Sequence, residues 1–163
     1  SVCVEVTVEC SDREPVVVPA ICGNIDALFR SKKDGRIWIL DWKRVDPKKK
    51  GLLGKATVHQ QLGGWGGFKR ARSPEMAKAP FDEWEASNYN KYSAQLHGYR
   101  WQLIEGGYFK AEEIAGCFLV QMHDELQKAH VIEAADMAEE VDTLMRAEVD
   151  AARQAYLDEY SLL

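Results

Sequence analysis

The stretch from Gly23 to Lys43 constrains the fold more than any other part of this chain. It reads Gly23-Asn24-Ile25-Asp26-Ala27-Leu28-Phe29, a polar break at Ser31-Lys32-Lys33-Asp34-Gly35, then Ile37-Trp38-Ile39-Leu40-Asp41-Trp42-Lys43. Two apolar, β-prone runs about a short break that ends in glycine describe a hairpin, with strands over Asn24–Arg30 and Arg36–Lys43. With Lys32 to Gly35 as a four-residue loop, the numbers of opposed residues sum to 67. Phe29 then faces Trp38, Ala27 faces Leu40 and Ile25 faces Trp42, which makes one side of the ribbon apolar. On the other side Leu28 faces Ile39, Asp26 faces Asp41 and Asn24 faces Lys43. A slip by one residue would mix the two sets, so the pattern selects its own register.

That register has a chemical consequence. Opposed side chains in an antiparallel pair lie with Cβ atoms ~5 Å apart, so Asp26 and Asp41 would bring two carboxylates together. Like charges that close are costly unless a cation lies between them. Two hard oxygen donors suit Mg²⁺ or Mn²⁺ rather than zinc. Lys43, two residues beyond Asp41 on the same face, can balance charge, hold a phosphate or orient a water molecule.

The remaining sequence places this hairpin in a mixed α/β (α+β) domain. Val2, Val4, Val6 and Val8 alternate with Glu5, Thr7 and Glu9 in a period-two strand that ends near Cys10. A polar turn from Ser11 to Pro15 leads into a second extended stretch at Val16, which Pro19 interrupts before Gly23. From Asp46 to Pro80 no period persists, and a segment of that length inside one domain is commonly functional or mobile. Asn88 to Glu105 has the spacing of a helix with Tyr92, Leu96, Tyr99 and Leu103 on one face, stopped by Gly106-Gly107. Gly98 inside it points to a close backbone approach, to the sheet or to nucleic acid. Strands over Ala115–Met122 and Ala129–Glu133 follow, then a long helix from Ala135 to about Tyr160, apolar at Val141, Leu144, Met145, Val149, Ala152 and Tyr156. The 163 residues fit a single domain, 1–163. They start on Ser1 in a strand, and we expect a piece excised from a longer protein.

Charge is unevenly distributed. Arg30 to Pro80 holds 14 Lys and Arg against 4 Asp and Glu, within a chain whose net charge is −5. A basic middle in an acidic protein suits a polyanion such as nucleic acid. No apolar run reaches the ~20 residues of a membrane helix, so no membrane partner is expected. Cys3, Cys10, Cys22 and Cys117 form no dense framework, which suggests reduced thiols and an intracellular setting, nuclear or cytoplasmic. They also lack the clustering of an iron–sulfur site. His59, His97, His123 and His130 show no metal-ligand spacing. The Lys48-Lys49-Lys50 triplet reads as a localisation patch or as phosphate contacts. Trp65 and Phe68, set among glycines, either stack on unpaired bases or fold onto the core.

Taken together, Gly23-x-x-Asp26, Asp41-Trp42-Lys43 on the partner strand and Gln95-Leu96-His97-Gly98-Tyr99 on the next helix resemble a known family. The first two resemble the PD-(D/E)XK nuclease superfamily, and the third resembles the Gln-x-x-x-Tyr signature of its RecB-like and lambda-exonuclease-like branch. Asp46-Pro47-Lys48 also fits a bare acidic-x-Lys pattern, but no strand presents it. The resemblance spans Val4 to Glu133. It implies a restriction-endonuclease-like mixed central sheet flanked by helices, and a Mg²⁺- or Mn²⁺-dependent nuclease acting on phosphodiester bonds, with DNA favoured over RNA. In that likeness Asp26 and Asp41 are metal-binding acids, Lys43 is the catalytic lysine and the Trp42 carbonyl is a further metal ligand. Glu5 matches an upstream acid, with Glu9 as its rival. Gln95 and Tyr99 pack beside the site and help to place the scissile strand. Arg44, Lys48, Lys49, Lys50, Lys55, Lys69, Arg70 and Arg72 would grip the nucleic-acid backbone. The helix that opens the family's fold has no counterpart here. The rival expectation is a catalytically inactive module of the same fold that binds nucleic acid or protein; an intact Asp26, Asp41 and Lys43 weigh against it.

Overall fold

The computed structural model describes residues 1–10, 13–44, 75–122 and 128–161. The expected turn at Ser11-Asp12, the lysine triplet, Lys55, Lys69, Arg70, Arg72, Trp65, Phe68, His59 and His123 lie outside the described residues. Among those described, the elements are β1 (Val2–Cys10), β2 (Arg13–Gly23), β3 (Ala27–Arg30), β4 (Ile37–Arg44), α1 (Asn88–Glu105), a 3₁₀ turn (Ala111–Glu113), β5 (Ile114–Met122), β6 (His130–Glu133) and α2 (Ala138–Ser161). The chain is a mixed α+β protein with two sheets. One is the β1–β2 hairpin, the other has the order β3-β4-β5-β6.

Alternation builds the hairpin. Val2, Val4, Val6 and Val8 are buried while Glu5, Thr7 and Glu9 face out. Val4 packs with Trp101, Met137 and Val141, and Val6 and Val8 pack with Val18 beside Val149, Tyr156 and Leu157, so both helices cover this face. Pro19 does not end β2. Its partner is Glu5, while Val4 pairs with Ile21, so Ala20 is an extra residue in the ladder. A bulge is where a strand can accept a residue without an N–H.

The same pairing sets Cys3 opposite Cys22, and the two form a disulfide with Cα atoms 4.1 Å apart. This corrects the expectation of reduced thiols for that pair; its physical reason is the hairpin register, which cysteine spacing alone does not reveal. Cys117 is free and buried, and burial pushes its thiol up to about 12.

In the larger sheet β3 pairs antiparallel with β4 in the expected register: Ala27 with Leu40, Leu28 with Ile39, Phe29 with Trp38 and Arg30 with Ile37. Ser31 donates to Arg36 across the loop and Gly35 takes a φ of +73°, a left-handed value that glycine adopts without cost. β4 and β5 run parallel, which requires a crossover. α1 belongs to that crossover. The Ser87 side chain caps its N-terminus by accepting from the Asn90 N–H, and the Gly106 N–H closes its end on the Gln102 carbonyl. Leu96 and Leu103 meet Ile39 and Leu119 of the two central strands in one core, with Tyr92 and Tyr99 beside them.

The central hairpin departs from its expected bounds. The first strand of the central hairpin is shorter than Asn24–Arg30, because Ile25 leaves the Trp42 side and packs against the core under α1. The apolar side of the ribbon also faces outward: Phe29, Trp38 and Trp42 are exposed, and Trp38 stacks on Phe118 at 4.7 Å. The side that carries Ile39 and Asp41 is the one covered, because the crossover helix lies on it. Gly98 meets the Met145 methyl of α2 rather than the sheet. No helix among the described residues is long and apolar enough to cross a membrane.

Closing a loop of 19 residues by a disulfide stabilises a fold by ~3 kcal/mol through the unfolded chain. Cys3→Ser is therefore expected to lower the thermal midpoint under non-reducing conditions. Adding reductant is expected to bring the wild type down to the variant and to leave the variant unchanged, as followed by circular dichroism.

Candidate functional site

The site forms where the β3–β4 ladder gives way. Regular pairing stops at Ala27 with Leu40, and one step further Asp26 takes over with its side chain: its Oδ2 accepts the Trp42 backbone N–H at 3.2 Å. A carboxylate thus replaces the strand's own carbonyl as acceptor, which fixes Asp26 beside Asp41. Asn24, expected opposite Lys43, instead pairs with the Ser1 hydroxyl at 2.5 Å. Its departure follows from Ile25 turning into the core.

Asp41 lies on the covered face of β4 and its side chain is 4% exposed. Lys43 follows it on that face, with Nζ 2.5 Å from Asp41 Oδ2. The contact is a close ion pair that holds the buried oxygen. Burial raises the Asp41 carboxyl above the usual carboxylate range, the Lys43 ammonium pulls against it, and the neighbouring Asp26 carboxylate raises it again. The net direction is upward because the ion pair repays only part of the desolvation.

α1 supplies the other wall. Tyr92, Gln95, Tyr99 and Gln102 follow each other at helical spacing, so one stripe of the helix faces the hairpin. The Lys43 ammonium sits 4.0 Å from the centre of the Tyr92 ring and donates to Gln95 Oε1 at 3.4 Å. Gln95 Nε2 donates onward to the Tyr99 hydroxyl at 2.8 Å. Asp26, Asp41, Lys43, Gln95 and Tyr99 are therefore drawn into one cluster from β4, the bend before β3 and α1. His97, two residues from Gln95, is on the other side of α1, where it lines a cleft with Trp101 and Asp142. Burial there lowers its pKa.

Gly23 has a steric role. A Cβ there would stand 2.6 Å from Gln102 Oε1 and 3.2 Å from Tyr99 Cε1, so α1 lies against the bare backbone that leads to Asp26. Gln102 is buried and its Oε1 has no hydrogen-bond partner. Tyr92 and Gln102 are site residues that motif reasoning missed; their spacing from Gln95 and Tyr99 along the helix was the available signal.

Other expected residues are placed differently. Glu5 and Glu9 are exposed, on the face of β1 turned away from the core. Among the described residues no group of three His, Cys, Asp or Glu converges, so neither acid joins Asp26 and Asp41. Trp42 turns its ring to the outer face, where it meets Phe29 edge-on at 6.4 Å, and engages Asp26 through its N–H. Arg44 ends β4. Among the described residues, Asp26 and Asp41 are the acids brought beside each other here, with Lys43 as the charge next to them.

The raised Asp41 carboxyl makes a stability prediction. An acid whose folded pKa exceeds its unfolded value adds stability below the unfolded pKa and loses it as pH rises through the folded one. Asp41→Asn, which cannot ionise, is therefore expected to gain in thermal midpoint relative to wild type as pH rises from 4 to 8. Paired melts in EDTA check this, and a difference that stays flat with pH would contradict it.

Comparisons with protein-family models, with curated proteins and with solved structures find no match for this chain.

Proposed function

We propose that this chain is a metal-dependent nuclease that hydrolyses phosphodiester bonds, DNA before RNA, on a restriction-endonuclease-like variant of the α+β fold. The observation that carries the reading is the side-chain relay Asp41–Lys43–Gln95–Tyr99. It links residues 52 positions apart through side chains alone, and a hairpin with an ordinary surface ion pair needs no such link. The parallel β4–β5 pair with antiparallel neighbours and a covering helix supports the finer fold assignment.

The donor set fits Mg²⁺ or Mn²⁺. Asp41 offers a buried carboxylate paired with the Lys43 ammonium, and Asp26 offers a second carboxylate beside it. Such ions commonly take one or two carboxylates and complete their shell with water and substrate phosphate, so a third protein acid is not required. A bound ion would supply an activated water and charge neutralisation at the phosphoryl group.

The chain's own groups do the rest. Lys43 Nζ, part exposed and tethered to Gln95, has donors left for a phosphoryl oxygen or a water molecule. Gln95 keeps its carbonyl toward Lys43 because its NH₂ is held by Tyr99. The half-buried setting strengthens each of these charge interactions relative to water. The basic residues after β4 would grip the backbone in a way that carries no sequence information.

Labelled DNA and RNA incubated with Mg²⁺, Mn²⁺ or EDTA test the proposal. Cleavage is expected with either ion and not with EDTA. Asp41→Asn is expected to lose it while keeping the fold, and Lys43→Ala to slow it by roughly 10²–10³. Wild-type rates in Asp41→Asn would overturn the assignment; binding without cleavage by the wild type would favour the inactive module. Binding is expected to weaken steeply with salt. Joint replacement of Lys48, Lys49 and Lys50 is expected to flatten the log–log slope by about 0.7–0.9 for each phosphate that is no longer neutralised.

A further inference from the structure

The Lys43 ammonium occupies a carboxylate oxygen of Asp41, one of the two acids of the proposed metal site. It stands 2.5 Å from Asp41 Oδ2, on a side chain that is 4% exposed. A Mg²⁺-sized ion binds a carboxylate oxygen at ~2.0–2.1 Å, so ion and ammonium on Oδ2 would be in near contact, cation against cation. The two are alternatives on one oxygen. Lys43 has a second seat within reach, because the Tyr92 ring and Gln95 Oε1 already touch its ammonium at 4.0 Å and 3.4 Å. An aromatic face holds a cation without binding it covalently or by a directed lone pair.

From this geometry we infer that Lys43 is a built-in competitor of the metal, and that Tyr92 is the positioning residue that receives its ammonium when Asp41 is given up. The inference rests on the proposed metal site and deepens it. Lys43 satisfies the buried carboxylate when no ion is bound, so the free protein takes metal weakly. A phosphodiester backbone offers the ammonium a full negative charge, which the neutral Gln95 and Tyr92 do not, draws it off Asp41 and raises metal affinity. Metal and nucleic acid thereby bind cooperatively, each lowering the cost of the other. The ion would be held firmly only where there is something to cut.

Mn²⁺ titration by calorimetry on the full chain, with no nucleic acid present, tests this without reading activity. Lys43→Met, which keeps the apolar stem, is expected to tighten Mn²⁺ by on the order of tenfold. Tyr92→Leu is expected to weaken it, because the ammonium is deprived of its second seat; Tyr92→Phe, which keeps the ring, is expected to bind more tightly than Tyr92→Leu. In the Lys43→Met background Tyr92→Leu should have no effect, which a merely structural role for Tyr92 would not produce. Circular dichroism checks that each variant is folded. If wild type binds Mn²⁺ and Lys43→Met binds no tighter, the competition is overturned while the metal reading stands. If neither binds, both fall.

Discussion

The packing of α1 across the parallel seam between β4 and β5 is the interaction on which the site depends. Parallel strands cannot be joined by a turn, so the chain must leave the sheet and return, and a helix on the return path covers one face. Leu96 and Leu103 settle between Ile39 and Leu119, all four nearly inaccessible to water. Once those side chains are seated, the rotation of α1 is fixed, and with it the direction of Tyr92, Gln95 and Tyr99. Asp41 is buried by the same event, since it lies one strand repeat from Ile39. The perturbed carboxylate and the groups that answer it thus share one cause, an aliphatic packing that has no chemistry of its own.

How much of this was legible in the sequence varied with range. The hairpin register was legible because period-two patterning and a glycine-ended loop left one consistent pairing. The limits of α1 were legible from the helical spacing that begins at Asn88 and from Gly106-Gly107. The side of the hairpin that would be covered was not. Phe29, Trp38 and Trp42 make the more apolar side, yet coverage is decided by where the crossover helix comes to rest, which no local pattern encodes. Ile25 departs from its expected place for the same reason, since the core draws it out of the ladder. The Cys3–Cys22 pair was hidden in the β1–β2 register, which depends on a bulge at Ala20.

The site was legible as types of residue rather than as an arrangement of atoms. Asp26, Asp41 and Lys43 could be put on one face by counting, and Gln95 and Tyr99 on one side of a helix. Counting could not show that the Asp26 side chain would replace a ladder carbonyl, or that the ammonium would lie over Tyr92. The upstream acid shows the limit most clearly. Alternation sets Glu5 outward on β1, and a hairpin that spends its inward positions on valines has none left for a carboxylate.

The close approach of α1 to Gly23 has a bearing on how this chain can change over generations. Any side chain at position 23 would collide with the Gln102 amide before it met anything else, and Tyr99 stands behind it. Gln102 is buried, so its amide has little room to swing aside. A shorter residue at 102 would open the space without touching the acids or the lysine. Position 23 is then closed to drift as long as 102 keeps its length, and open afterwards. The order of the two substitutions matters, and a lineage that gave up the glycine first would give up the approach to Asp26 with it.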